Sequence, residues 1–167
     1  MPASEQKVSK NSYQVIPRVL IFIMEGQKVL LLRGDKHKNI WAGKYNGVGG
    51  HVEPGEDVLT AAQRELTEET GLTRMPLVLC GVISVNVSPD TGIILLVFAG
   101  QYLSGAIVPS AEGELEWVAF EDVVHLPVVE DLPAIIERVQ DWRLTGNLFF
   151  GISHYDKEGK LVITFRQ

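Results

Sequence analysis

Residues 50–72 read GHVEPGEDVLTAAQRELTEETGL, and this stretch decides the fold prediction. Residues 57–70 have helical character, and Gly71 suits the left-handed conformation that ends many helices. The apolar residues expected on the buried face of this helix are Leu59, Ala62 and Leu66. The stretch therefore predicts one amphipathic helix with a glycine-rich loop in front of it.

The predicted helix carries Glu65, Glu68 and Glu69 at positions i, i+3 and i+4, within about 100° on one face. Like charges at these spacings destabilise a helix, and most such clusters are simply solvated acidic faces. However, Arg64 and Arg74 cannot neutralise three acids at once. Clustered carboxylate oxygens suit Mg²⁺ or Mn²⁺, especially when substrate phosphates complete the coordination. Composition and spacing alone favour a metal site only slightly over a solvated face.

The order of the fixed residues resembles the box Gx5Ex7REUxEExGU of the Nudix family, in which U is an apolar residue. The fixed positions are filled by Gly50, Glu56, Arg64, Glu65, Glu68, Glu69 and Gly71, and the apolar ones by Leu66 and Leu72. At average residue frequencies, seven such identities arise by chance with a probability on the order of 10⁻⁸ per starting point. The resemblance is therefore highly specific.

The resemblance implies an α+β fold, a Nudix α/β/α sandwich with a mixed central sheet. We predict strands over residues 15–24, 29–33, 77–87, 93–103, 115–120, 148–155 and 161–165, and a second helix over residues 132–142. The chain has 167 residues, enough for one domain. We expect a flexible N-terminal tail over residues 1–12 and a single Nudix domain over residues 13–167.

The composition limits the partners and the location. The net charge of −6 argues against a surface that grips nucleic acid polymers or anionic membranes. The apolar runs are too short to span a membrane, and the polar first twelve residues lack the apolar core of a secretory signal. The single cysteine, Cys80, is expected in the core. We therefore expect a cytoplasmic monomer or homodimer that acts on a small nucleotide.

By resemblance, the box binds Mg²⁺, with Mn²⁺ as the alternative, and water attacks a phosphorus atom of a pyrophosphate linkage. The residues implied as metal ligands are the backbone carbonyl of Gly50 and the side chains of Glu65, Glu68, Glu69 and Glu112. Those implied in catalysis are Glu68 or Glu69 as general base, Arg64, which orients a glutamate of the box, and Glu112 as ligand or base. For Glu112, a simple acidic turn residue is an equally supported interpretation.

The substrate must be inferred from residues outside the box. The loop over residues 41–50 resembles that of 8-oxo-dGTP-type purine nucleoside triphosphate diphosphatases, in which an Asn before Gly contacts the base; Asn46 matches it. Those enzymes also read the base with an acidic pair, here Glu130 and Asp131. The first acid is Glu rather than Asp, and a valine replaces the stacking aromatic residue. The alternatives are a turn residue for Asn46 and an acidic helix start for Glu130 and Asp131.

Two other functions stay open at this point. Nudix enzymes that act on ADP-ribose or nucleoside diphosphate sugars tend to carry a proline about 16 residues past the box. Pro89 lies close to that position, although a hairpin turn explains it as well. Other Nudix domains only bind nucleotides, but these have lost glutamates that this chain retains.

Overall fold

The structure is a computed structural model that describes residues 12–35, 42–108 and 110–166. Apart from Ser12, the predicted tail over residues 1–12 lies outside the described residues, and so does Trp41. All described strands, from the first to the last, belong to one sheet. The extent of the single domain over residues 13–167 stays a prediction.

A mixed sheet of eight strands forms the centre of the described chain. The strands are β1 (Gln14–Glu25), β2 (Lys28–Gly34), β3 (Tyr45–Asn46), β4 (Val78–Asn86), β5 (Thr91–Gln101), β6 (Gly113–Ala119), β7 (Phe149–Tyr155) and β8 (Leu161–Arg166). Their order is β3-β2-β1-β5-β4-β7-β8, and β6 pairs with β2. The pairs β1–β5 and β4–β7 are parallel, and the other pairs are antiparallel. The sheet is therefore mixed, as predicted.

Two α-helices, α1 (Val58–Thr70) and α2 (Leu132–Thr145), accompany the sheet. Helix α1 begins at Asp57, whose carboxylate accepts hydrogen bonds from two backbone amides of the first turn at 2.9 and 3.0 Å. It ends at Gly71, which has φ 74°, the left-handed cap predicted from the sequence. A 3₁₀ helix over Phe120–His125, which was not predicted, leads from β6 towards α2.

The alternation of side chains along β1 supplies two cores, one on each face of the sheet. The core beneath α2 includes Leu20, Phe22, Met24, Ile135, Ile136 and Val139. The core beneath α1 includes Val19, Ile21, Ile23, Ala61, Ala62 and Leu66. Cys80 is buried in the first core, as predicted, and burial raises the pKa of its thiol to about 12. The layers are therefore helix, sheet and helix.

The buried face of α1 differs from the predicted one. Leu59 was expected to be buried but is 40% exposed, whereas Ala61 is fully buried. The reason is that residues 58–60, the first turn, are all exposed, so packing against the sheet begins only at Ala61. The buried side of the helix also includes Glu69, a charged residue at 7% exposure.

None of the helices in the described ranges combines the length and the apolar character that crossing a membrane would need.

Candidate active site

A glycine-rich loop between β3 and α1 lies directly against β1. The amide of Ile21 donates to the carbonyl of Val48 at 2.7 Å, and the amide of Val19 donates to the carbonyl of Gly50 at 2.9 Å. A Cβ atom at Gly49 would clash with the Val19 carbonyl. The glycines therefore allow the loop backbone to approach β1 at the point where α1 presents its glutamates.

Two of the box glutamates are directed at this loop. Glu69 is buried, and its Oε2 accepts a hydrogen bond from the Gly49 amide at 3.1 Å. The carboxylate of Glu65 lies where a Cβ on Gly50 would be, so any larger residue at position 50 would have to displace that carboxylate. The side chain of Glu68 is 58% exposed. The three carboxylates share one side of α1, but they differ sharply in burial.

Arg64 links the box together. Its Nε and Nη2 donate to the two carboxylate oxygens of Glu56 at 3.1 and 2.8 Å. Its Nη1 lies 2.9 Å from Glu65 Oε1 and 3.2 Å from Glu68 Oε2, and Nη2 also donates to the His51 carbonyl. The hydrogen bonds from Arg64 hold the pKa of the Glu56 carboxyl below its usual value. Arg64 thus contacts three glutamates of the box, and the expectation that it orients a glutamate there stays a prediction.

The residues at the loop suit a hard divalent cation without forming a complete cage. No group of three or more His, Cys, Asp or Glu side chains in the described part of the chain is arranged to hold a metal ion. Mg²⁺ commonly uses only one or two carboxylates and takes its remaining ligands from water and substrate phosphates. Glu69 and Glu65 beside the loop fit that donor set. The Gly50 carbonyl already accepts the Val19 amide, but it keeps a second lone pair.

A cavity of about 420 Å³ opens beside the loop. The predicted site residues that line it are Asn46, Gly50, Glu69, Glu112, Glu130 and Asp131. Three other predicted residues, Arg64, Glu65 and Glu68, are described in the structure but are not among those that line the cavity. The fold thus joins the substrate-binding candidates to Glu69 and Glu112, although they are far apart in the sequence.

The segments that contain Asn46 and Glu130 are connected through the backbone of Tyr45. Its amide donates to the Pro127 carbonyl at 2.8 Å, and its carbonyl accepts from the Val129 amide at 3.1 Å. The Tyr45 hydroxyl donates to Glu116 Oε2 at 2.5 Å, which fixes the ring. These bonds place Asn46 and Glu130, which follow these segments directly, in the same cavity wall.

The surroundings of Asn46 and Asp131 can be compared with the alternative interpretations, a turn residue for Asn46 and an acidic helix start for Asp131. Asn46 Oδ1 accepts from the Gly47 amide at 2.8 Å, a local contact that suits a turn residue. Asp131 immediately precedes α2, yet its side chain makes no capping hydrogen bond to any described residue. Burial raises the pKa of the Asp131 carboxyl, and the neighbouring charge of Glu130 adds to this. The pKa of the Asp131 carboxyl is therefore higher than that of an exposed aspartate.

The cavity is also lined by polar residues that the sequence analysis did not single out, among them Arg18, Ser153 and Tyr155. Arg18 on β1 directs its guanidinium at Nε2 of His51, with Nε at 3.1 Å and Nη2 at 2.9 Å. Ser153 lies on β7. No motif marks these positions, because a strand pattern shows which face a residue occupies but not where that face borders a cavity.

The family model for the NUDIX domain matches residues 15–139 of this chain. The chain therefore belongs to the Nudix family, which confirms the resemblance inferred from residues 50–72.

Curated proteins that this chain resembles include two differently named hydrolases. The oxidized purine nucleoside triphosphate hydrolase of Mus musculus is 33% identical over 106 residues, which cover 62% of this chain and 66% of the relative. The NAD-capped RNA hydrolase NudC of Stutzerimonas stutzeri is 29% identical over 119 residues, which cover 70% of this chain and 41% of the relative. The chain thus spans slightly less than two thirds of the mouse protein and under half of the bacterial one.

Solved structures confirm the predicted fold class. The mutator MutT protein from Bacillus halodurans superposes with a TM-score of 0.76 at 25% identity, covering 90% of this chain and 97% of that one. The NUDIX domain of Shewanella oneidensis NrtR, solved with ADP ribose, gives a TM-score of 0.65 at 19% identity, covering 87% and 100%. At that identity the second likeness supports the fold alone.

Proposed function

We propose that this protein is a pyrophosphohydrolase that cleaves a (deoxy)nucleoside triphosphate to the monophosphate and pyrophosphate, and that its substrate is an oxidised purine nucleotide such as 8-oxo-dGTP. The observation that carries the proposal is the shared cavity, which joins Asn46, Glu130 and Asp131 to Glu69 and Glu112. A single pocket can thus hold the base at one set of residues and the phosphates at the other.

The phosphate end of the cavity is assigned to Gly50, Glu69 and Glu112. When bound there, Mg²⁺ or Mn²⁺ would polarise the phosphoryl oxygens and lower the pKa of the attacking water. Glu69 is buried against the glycine loop, so its carboxylate is held in place before substrate arrives. It is our first candidate for the general base, with Glu68 and Glu112 as alternatives. Arg64 serves as a positioning residue, because it contacts glutamates rather than the cavity.

The base end is assigned to Asn46 and the acidic pair. An amide both donates and accepts hydrogen bonds, whereas a carboxyl group accepts them when ionised and can donate only when protonated. Together they suit the polar edge of a purine. The name of the mouse relative supports an oxidised purine as the first substrate to test.

Two other functions remain as alternatives. The ADP ribose in the NrtR structure belongs to a protein that shares only the fold. Pro89, the residue that pointed to ADP-ribose, lies between β4 and β5 in the described chain and is not among the residues lining the cavity. A catalytically silent binding module is disfavoured because all glutamates of the box are present.

The proposal extends to partners and location. With a net charge of −6, the protein is proposed to act on small nucleotides in the cytoplasm, as a monomer or homodimer, and not on a nucleic acid polymer or a membrane.

A substrate panel tests the proposed reaction. The protein is incubated with Mg²⁺ and 8-oxo-dGTP, dGTP, dATP or ADP-ribose, and the products are separated chromatographically. Nucleoside monophosphate and pyrophosphate from 8-oxo-dGTP are the expected products. AMP and ribose 5-phosphate from ADP-ribose, with the triphosphates intact, would replace the proposal with its main alternative. Binding without turnover of any compound would indicate a binding module.

A further inference from the structure

Ser153 carries a hydroxyl that is buried without a partner. The residue is 1% exposed, and its Oγ has no hydrogen-bond partner among the described residues. The other such atom in the described chain is Nε of Arg138, whose guanidinium already pairs with Glu137 and Asp141. Ser153 has no second polar group, and it lines the cavity beside the glycine loop.

The neighbours of Ser153 across the sheet are all aliphatic. Ser153 pairs with Val85 on β4 and with Ile163 on β8. Val85 pairs in turn with Ile93 on β5, and Ile93 pairs with Ile16 on β1. Residues paired in this way lie on the same face of a sheet. Ser153 is therefore the one hydroxyl in a row of five residues, and no other side chain of that row can bond to it.

The same face continues the apolar surface along each strand. Residues two positions apart on a strand share a face, so Leu95 lies on the same face as Ile93. Val87 follows Val85 just past the end of β4. All four line the cavity, as does Leu161 on β8. The cavity thus has a largely aliphatic wall formed by β4, β5, β7 and β8. Ser153 supplies a buried hydroxyl to this wall, and Tyr155, which is 60% exposed, is the other residue of β7 that lines it.

An unpaired hydroxyl in such surroundings is unfavourable, so the arrangement makes sense if a ligand completes it. We propose that Ser153 is a specificity-determining residue whose Oγ hydrogen-bonds one polar atom on the edge of the substrate's nucleobase, while the base packs against the aliphatic wall. This inference rests on the proposed function and adds a residue to the same cavity.

The chemistry of the wall favours a base over a sugar at this position. A nucleobase has apolar faces and a polar edge, and a hydroxyl can donate to a ring nitrogen or carbonyl or accept from an amino group. A second ribose would place several hydroxyls against Val85, Ile93 and Leu161, whose aliphatic side chains offer them no hydrogen-bond partner. The wall therefore suits a single-nucleoside substrate better than ADP-ribose.

The first test is the Michaelis constant of Ser153→Ala. We expect KM for 8-oxo-dGTP to rise about 3- to 10-fold, the loss of one neutral hydrogen bond, with kcat within about twofold of wild type. The penalty should differ among guanine, hypoxanthine and adenine triphosphates, because their edges carry different groups. Ser84→Ala is the control, since Ser84 lies on β4 but does not line the cavity. An unchanged KM, or one penalty for all three bases, would overturn the inference.

A shape-matched pair separates the hydroxyl from the volume of the side chain. Ser153→Thr keeps a hydroxyl, whereas Ser153→Val has nearly the same shape without one. We expect the Thr variant to have a KM about 3- to 10-fold below that of the Val variant. Equal constants for the two variants would show that the hydroxyl does not contact the substrate.

Thermal unfolding without nucleotide distinguishes a ligand-binding role of the Ser153 hydroxyl from a structural one. If the hydroxyl awaits a ligand, Ser153→Ala should have a Tm equal to or above that of the wild type, because removing an unpaired buried hydroxyl costs nothing. A Tm lower by several degrees would indicate that the hydroxyl stabilises the protein itself, and the inference would fail.

The outcomes distinguish this inference from the proposed function. If 8-oxo-dGTP is hydrolysed equally well by wild type, Ser153→Ala and Ser153→Val, the function stands and the inference is wrong. If no nucleotide is hydrolysed, titration calorimetry with 8-oxo-dGTP still tests the contact. Weaker binding by Ser153→Ala than by Ser84→Ala would then support the inference while the proposed reaction fails.

Discussion

The backbone amide of Gly49 and the buried carboxylate of Glu69 are joined by a hydrogen bond of 3.1 Å. This bond connects the last turn of α1 to the loop that lies against β1, and both residues line the cavity. A carboxylate buried at 7% exposure is costly unless it is hydrogen-bonded or bound to a cation. Glu69 is therefore held at the loop by a hydrogen bond and is not part of a solvated acidic face.

Replacing Glu69 with Gln should lower kcat at least ~100-fold, and Glu68→Gln should do the same, as expected for a lost metal ligand or general base. The fold should persist, since Gln keeps an oxygen that can accept the Gly49 amide. Steady-state turnover with Mg²⁺ measures the first effect, and circular dichroism melting measures the second. Glu121→Gln, an exposed change on the 3₁₀ helix, should retain wild-type turnover. Wild-type rates in both box variants would show that the site assignment is wrong.

The sequence predicted the box glutamates but not their separate environments. Spacing places Glu65, Glu68 and Glu69 on one side of a helix, because the helical period is fixed. It cannot show that Glu69 is buried and Glu68 exposed, since that depends on how α1 sits on the sheet. The error at Leu59 has the same origin: periodicity assigns a face, but the packed surface begins only at Ala61.

Substituting Gly50 with Ala should weaken metal-dependent activity by displacing Glu65. A Cβ at residue 50 would overlap the Glu65 carboxylate, so that carboxylate or the loop must shift. We expect at least ~10-fold lower kcat and a higher Mg²⁺ concentration for half-maximal rate, because displaced ligands bind the cation less well. A magnesium titration of the rate measures both.

The control for this steric explanation is the pair of changes Gly50→Ala and Glu65→Asp. Asp is one methylene shorter, so it should relieve the overlap. The double variant should therefore lose less Tm than the sum of the losses measured for the two single variants. Fully additive losses would indicate that Gly50 acts through the loop backbone instead.

The part of the cavity lined by Asn46, Glu130 and Asp131 shows the limit of what the sequence alone could predict. Asn46 and Asp131 were located only through resemblance, and the backbone bonds of Tyr45 that bring their segments together have no sequence signature. Ser153 and Arg18 were missed because alternation along a strand does not distinguish a core position from one that faces a cavity. The residues that line the cavity could therefore be identified only from the strand register of the folded sheet.

The pair Arg64–Glu56 should make stability depend on pH in the acid range. Hydrogen bonds from Arg64 lower the pKa of the folded-state Glu56 carboxyl from its ordinary value of 4.5. A depressed carboxyl pKa contributes stability that is present above 4.5 and is lost as pH falls through the folded-state pKa. Glu56→Gln should therefore lower Tm at neutral pH, and the difference from wild type should shrink below pH 4.5. Melting curves of both proteins between about pH 2 and pH 7 measure this difference in Tm. A difference in Tm that does not change with pH would contradict a contribution from the ion pair.

Asp131 should make stability depend on pH in the opposite sense to Glu56. Burial raises its folded-state pKa above the ordinary 3.8, so the folded protein binds more protons than the unfolded chain, and stability falls as pH rises from 3.8 through the raised pKa. Asp131→Asn removes that cost and should raise Tm at neutral pH, with the gain disappearing near pH 3.8. Asp122→Asn, at an exposed position, should show no such gain. If Asp131→Asn gains stability but loses affinity for 8-oxo-dGTP, the acid is kept at a cost to folding because the substrate requires it. An absent Tm gain would instead mean that burial does not oppose the charge.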